Sequence, residues 1–193
     1  MIAVIPTTGS NIFSIVNALQ KLSQEIVVTE DPELIRKARK VILPGVGHAR
    51  SMMEKLQKAG LAEVIPTLTQ PVLGICLGMQ ILFEHSEEGD TKTLGVIPGK
   101  VKRIPFTEYS LPHMGWNKLE EVERDSWVAP FQDDHFYFVH SYMVEAGPWV
   151  KACCDYGLLV PSVIQWQNFY GTQFHPEKSA RVGEKLLQRF LCL

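Results

Sequence analysis

What this 193-residue sequence lacks narrows its chemistry before any motif is considered. Its 19 Lys plus Arg nearly balance 21 Asp plus Glu, for a formal charge of −2, and no block of like charge goes beyond short pairs such as Glu87-Glu88 and Asp133-Asp134. That excludes the basic stripe of a nucleic-acid-binding surface. The longest apolar runs, such as residues 2–5 and 72–75, fall far short of the roughly 20 residues that cross a bilayer, so no membrane span is expected. The first residues carry neither a basic segment nor a small-residue cleavage site, and they read as a β-strand, not a secretory signal. Among Cys76, Cys153, Cys154 and Cys192 there is no C-x-x-C spacing. A disulfide framework is therefore not expected, and a reducing, cytoplasmic location is. His48, His85, His113, His135 and His140 form no helical i, i+4 pair, so no metal site is expected. With no repeat, low-complexity tract or Gly/Ser-rich linker, residues 1–193 are expected to form one domain.

What is present reads as an α/β fold. Through the first third, short β-branched runs alternate with helical periodicity, the signature of βαβ units and a mostly parallel central sheet flanked by helices. Strands are expected at residues 2–5, 25–29, 41–43 and 71–75, and helices over 12–22, 32–37, 49–58 and 62–68. Ile12, Ile15, Val16, Leu19 and Leu22 share one helical face, and Asp31 ahead of Pro32 suits a helix start. The run 71–75 is apolar throughout and belongs in the middle of a sheet. Beyond about Gly89 helical periodicity lapses until a docking helix within 178–193. Strand-like runs at 101–104, 136–139, 149–154, 163–167 and 169–174 add an antiparallel region.

The strongest chemical feature is Gly74-Ile75-Cys76-Leu77-Gly78-Met79-Gln80. An apolar strand runs into a cysteine flanked by glycines two places away on either side, the pattern of a nucleophile elbow in which any neighbouring β-carbon would collide. A helix start behind the thiol favours thiolate through its dipole and free N–H groups. An isolated cysteine of this kind is more often a buried structural residue; the glycine bracketing reverses that preference. A nucleophilic thiol needs a base, and the base needs an orienting group. His175 and Glu177, two apart in Gln173-Phe174-His175-Pro176-Glu177, supply both. Alone, His-x-Glu is often no more than surface charge, and its spacing also suits two metal ligands. Pro44-Gly45-Val46-Gly47 closes another parallel strand on the same sheet edge, where Gly47 and Leu77 N–H groups could form an oxyanion hole. Alone it is a strand-exit turn.

Taken together, G-I-C-L-G-M-Q, Q-F-H-P-E and P-G-V-G resemble the triad-type (class I) glutamine amidotransferases over nearly the whole chain. Met79, with residues 112–117, 136–142 and 168–171, resembles within that family the glutaminase subunits of imidazole glycerol phosphate synthase. The resemblance implies that Cys76 attacks the side-chain amide of L-glutamine, with His175 moving the proton and Glu177 orienting His175. It implies that Gly45, Gln80, Glu88, Ser141 and Tyr142 hold the substrate, and that no cofactor is needed. Ammonia would pass to a separate (βα)8-barrel cyclase subunit of histidine biosynthesis, paired as a heterodimer. His113, Met114, Trp116, Asn117, Tyr137 and Lys178 would face that partner. Residues 5–11, Ile5-Pro6-Thr7-Thr8-Gly9-Ser10-Asn11, lack the aspartate usual in the family, so a remodelled first turn with retained catalysis is expected. Two other readings stay open: the same glutaminase serving another synthase, such as one of surface-sugar synthesis, and a non-catalytic regulatory subunit.

Overall fold

Alternate residues of a strand point to opposite faces, and the first strands here are apolar at nearly every position, so both faces of their sheet demand cover. The computed structural model, which describes residues 1–7, 12–22, 25–105 and 108–193, supplies that cover. In chain order, β1 (Ile2–Val4), α1 (Ile12–Gln20), β2 (Ile26–Val28), α2 (Pro32–Lys37), β3 (Lys40–Gly45), α3 (Ala49–Lys58), α4 (Leu61–Val64), β4 (Val72–Cys76) and α5 (Leu77–Gln80) build the wound half. They are followed by β5 (Phe83–Ser86), β6 (Thr91–Lys92), β7 (Ile97–Arg103), β8 (His113–Lys118), β9 (His135–His140) and β10 (Tyr142–Val144). The chain ends with β11 (Val150–Asp155), β12 (Leu159–Trp166), β13 (Phe169–Thr172) and α6 (Ala180–Leu191).

The central sheet has the order β11-β12-β13-β4-β3-β1-β2. From β2 to β13 the pairings are parallel, and β12 and β11 join antiparallel at one edge. β4 occupies the middle, as its apolar run requires. One sheet face, with Ala3, Ile5, Val41 and Leu43, packs against Met52, Leu56 and Leu61 of α3 and α4. The other, with Ile2, Val4, Ile42, Leu73 and Ile75, packs against Ile15 and Leu19 of α1 and Leu186, Leu187 and Phe190 of α6. A second sheet, β10-β7-β5-β6, and a β8–β9 ribbon carry the remaining strands.

Several elements end where local chemistry dictates. Asp31 Oδ1 accepts the Glu33 N–H at 2.8 Å and starts α2. The helix expected over 62–68 is only α4 and a 3-10 turn at Ile65–Thr67, because Pro66 has no N–H to continue an α-helix. The last helix begins at Ala180, after a 3-10 turn at Pro176–Lys178. Of the expected turn over 5–11, residues 8–11 lie outside the described residues; Thr7 donates its hydroxyl to the Pro44 carbonyl at 2.6 Å. Among the described residues no helix is long and apolar enough to cross a membrane.

Two glycines fix the junction of β4 and α5. A β-carbon on Gly78 would lie 1.8 Å from the Leu43 oxygen, and one on Gly74 would lie 2.6 Å from the Gly78 oxygen. Backbone meets backbone there, and nothing can yield cheaply. Gly47 is the opposite case, with open space around it but φ at +97°. Gly78→Ala is therefore expected to cost at least about 3 kcal/mol or to prevent folding. Gly47→Ala is expected to fold and to lose only about 1–3 kcal/mol of strain energy. Urea denaturation of both variants checks the ranking.

Candidate active site

Because β3 and β4 run in register, their carboxyl ends meet, and Gly45 pairs with Cys76. Cys76 closes β4 at φ 54°, ψ −114°, a strained conformation for a residue with a β-carbon. The elbow read from the glycine spacing thus has its backbone signature. The helix behind it is one turn, Leu77–Gln80, so the dipole expected to favour thiolate shrinks to local N–H groups. Cys76 Sγ lies 3.9 Å from the Val139 oxygen and 3.7 Å from Gln173 Nε2. Burial pushes the Cys153 and Cys154 thiols up to about 11 and about 12.

His175 reaches this edge on the segment leaving β13. Its N–H donates to the Tyr137 carbonyl at 2.9 Å. Ser179, fully buried, donates its hydroxyl to the His175 carbonyl at 2.7 Å and accepts the Tyr137 N–H at 3.0 Å. Ser179 thus latches the histidine segment to β9, and nothing in the local sequence marks it for that task. Glu177 Oε1 lies 2.8 Å from His175 Nδ1. The pair meets across the 3-10 turn that Pro176 initiates, not along the extended segment that the i, i+2 spacing implied. Burial alone would lower the His175 imidazole, but the neighbouring Cys76 sulfur, when it carries charge, and the bond to the Glu177 carboxylate outweigh it and raise the group to about 10. Glu177 Oε2 and His175 Nε2 have no hydrogen-bond partner among the described residues.

A cavity of about 190 Å³ opens over the thiol. Cys76, Gly47, Leu77, Gln80, Glu88, Ser141 and Tyr142, all expected to serve the site, line it together. Gly45 does not: it is buried, and a β-carbon there would lie 2.6 Å from the Gly78 nitrogen, so its lack of a side chain serves packing. Glu88 also has a structural bond, its Oε2 accepting the Ala49 N–H at 2.7 Å at the start of α3. A larger cavity, about 520 Å³, lies at the amino ends of the strands among Ile2, Lys40, Pro71 and Leu193. It is at the far end of the sheet from the thiol, and Lys40, the buried lysine in its wall, is already bonded to the Leu193 oxygen.

Of the residues expected to face a partner, Met114 (60% exposed), Trp116 (54%) and Lys178 lie on the surface, with Tyr137 and Asn117 half-buried. His113 does not join them. Only 2% exposed, it stacks on Phe138 and Tyr156 with its Nδ1 3.0 Å from His140 Nε2. Burial lowers both imidazoles, His113 to about 4 and His140 to about 3. The unfolded chain protonates these groups near pH 6.5 whereas the native one does not, so unfolding takes up protons and stability is lost as pH falls from about 6.5 towards 4. Tm is expected to drop over that range in thermal scans, and to drop less in His113→Phe, which keeps a stacked ring.

With this geometry in place, comparison with known proteins is specific. A family model for class-I glutamine amidotransferases matches residues 3–192. "Imidazole glycerol phosphate synthase subunit HisH 2" of Legionella pneumophila is 50% identical over 195 residues, covering 100% of this chain and 98% of that protein. The HisH subunit of Pasteurella multocida is 46% identical over 191 residues, covering 98% and 96%. A solved glutamine amidotransferase from Thermotoga maritima shares the fold at TM-score 0.68 and 19% identity, covering 98% of this chain and 95% of that one. An elbow cysteine beside a His–Glu pair, matched from end to end, makes this chain a member of the class-I glutamine amidotransferase family.

Proposed function

We propose that this chain hydrolyses L-glutamine to glutamate and ammonia, and hands the ammonia to the cyclase subunit of imidazole glycerol phosphate synthase in histidine biosynthesis. The observation that carries the reading is Cys76 at its strained elbow, at the wall of a glutamine-sized cavity, in a chain half identical to HisH subunits over its full length. Residues 1–193 act as one domain, and histidine biosynthesis and four unpaired thiols fit a cytoplasmic setting.

The chemistry follows from the groups present. The Cys76 thiolate attacks the side-chain carbon of glutamine, and the developing oxyanion meets the N–H groups of Gly47 and Leu77. His175, cationic and held by Glu177, gives its proton to the departing nitrogen, and ammonia leaves. Water, deprotonated by the now neutral imidazole, cleaves the thioester to glutamate and restores the thiolate and the cationic imidazole. Gln80, Glu88 and the backbone at Ser141 and Tyr142 hold the substrate. Met114, Trp116, Tyr137 and Lys178 form the docking face, where Trp116 and Tyr137 pack edge to face at 6.3 Å. Exposed aromatic and Met side chains of this kind are common interface anchors.

A glutaminase that wasted glutamine would burden its cell, so the oxyanion loop at Gly47 is expected to become competent only in the complex. Glutamate production should be low for the isolated chain and rise strongly with the cyclase subunit and its ribonucleotide. Cys76→Ala should cut the stimulated rate by at least about 10⁴-fold with Tm retained. Equal rates with and without the cyclase would refute the coupling, and an active Cys76→Ala would refute the nucleophile.

A further inference from the structure

A main-chain carbonyl can accept hydrogen bonds but never donate them, and the Tyr142 oxygen has two side chains on it. Gln80 Nε2 is 2.9 Å away and His140 Nδ1 is 2.8 Å away. Both must donate, and from this oxygen the proton positions are forced in two directions. Towards the sulfur, the second N–H of Gln80 meets Gln173 Oε1 at 2.9 Å, which leaves Gln173 Nε2 facing Cys76 Sγ at 3.7 Å. Towards the surface, His140 with its hydrogen on Nδ1 offers Nε2 as an acceptor, so His113 Nδ1 at 3.0 Å must donate. His113 Nε2 then accepts from Asn117 Nδ2 at 3.2 Å, whose other hydrogen goes to the Asp155 carbonyl at 2.8 Å. A single arrangement of hydrogens satisfies the whole chain, with both imidazoles neutral. Gln173, His140 and His113 are 0%, 6% and 2% exposed, so the links lie largely inside the protein.

We propose, resting on the reading of Cys76 as the nucleophile, that His140, locked in one tautomer by His113, is a positioning residue for the glutaminase reaction. By holding the Tyr142 carbonyl it fixes the amide orientations of Gln80 and Gln173, so that an N–H of Gln173 and not an oxygen meets the sulfur. A donor there favours thiolate, whereas an amide oxygen would repel it. The same logic sets how Gln80 recognises a ligand. Both of its hydrogens are spent, so it can bind substrate only through Oε1, and only to a hydrogen-bond donor.

Alkylation of Cys76 by iodoacetamide at neutral pH, read on the Cys76 peptide by mass spectrometry in the full-length chain, tests this without substrate or partner. Gln173→Leu is expected to slow alkylation about ten-fold. His140→Leu should slow it in the same way, and His140→Asn, whose Nδ2 can take the place of Nδ1, should restore it. The double variant His140→Leu with Gln173→Leu should be no slower than Gln173→Leu alone, because both act through one chain. Additive slowing, or an unchanged rate in Gln173→Leu, would overturn the proposal. Should His140→Leu fail to fold, His113→Phe, which keeps a ring stacked between Phe138 and Tyr156, must show the same coupling. Glutaminase activity assayed with the cyclase separates the two layers. Activity without coupling overturns the positioning role alone, and coupling without activity overturns the catalytic reading alone.

Discussion

The approach of Gly78 to the Leu43 carbonyl decides where the reactive sulfur stands. Only a residue without a β-carbon lets the turn after β4 lie directly on β3, and that closeness forces the chain through Cys76 at positive φ. The strain is local and the support is wide. β4 is central and apolar on both faces, with helices packed on either side, so the native core over-determines a conformation that a cysteine would not choose for itself. The same register that pairs Gly45 with Cys76 carries the strand exit at Val46 and Gly47 to the thiol. Nucleophile and oxyanion loop are therefore neighbours because of sheet order, not because of sequence proximity.

Around that fixed point, the electrostatics divide among buried groups of opposite habit. His175 lies against the Cys76 sulfur and the Glu177 carboxylate and is raised to about 10, while His113 and His140, without an anionic partner, are lowered chiefly by burial to about 4 and about 3. One histidine is arranged to carry a proton and two are arranged never to do so. A neutral imidazole has one donor and one acceptor, and this directionality suits the pair for orienting other dipoles. The low dielectric that makes such a network costly when broken also makes it decisive when complete.

Much of this was legible in the residues. Helix Ala49–Lys58 appears with the bounds its pattern gave, because Met52, Met53 and Leu56 mark one face by local spacing alone. The elbow was readable for the same reason, its glycines and cysteine lying within five residues. The orienting network was not. Gln80 meets the Tyr142 carbonyl across 62 residues and Gln173 across 93, and nothing in a linear pattern pairs such groups. His113 read as a surface residue of an aromatic stretch because Tyr156, which covers it, arrives from the end of β11. Strands β5, β6 and β10 are short, and β8 carries mixed polar residues, so only long-range pairing defines them.

The central claim is that Cys76 forms a covalent bond to glutamine. The most direct measurement is acid quenching of the chain during turnover of L-glutamine with the cyclase subunit present, followed by mass spectrometry of the cysteine-containing peptides. A glutamyl thioester on the Cys76 peptide, present during turnover and absent when glutamine is omitted, is the predicted result. Sustained glutamate production with no adduct on Cys76, or with an adduct confined to Cys153, Cys154 or Cys192, would contradict it.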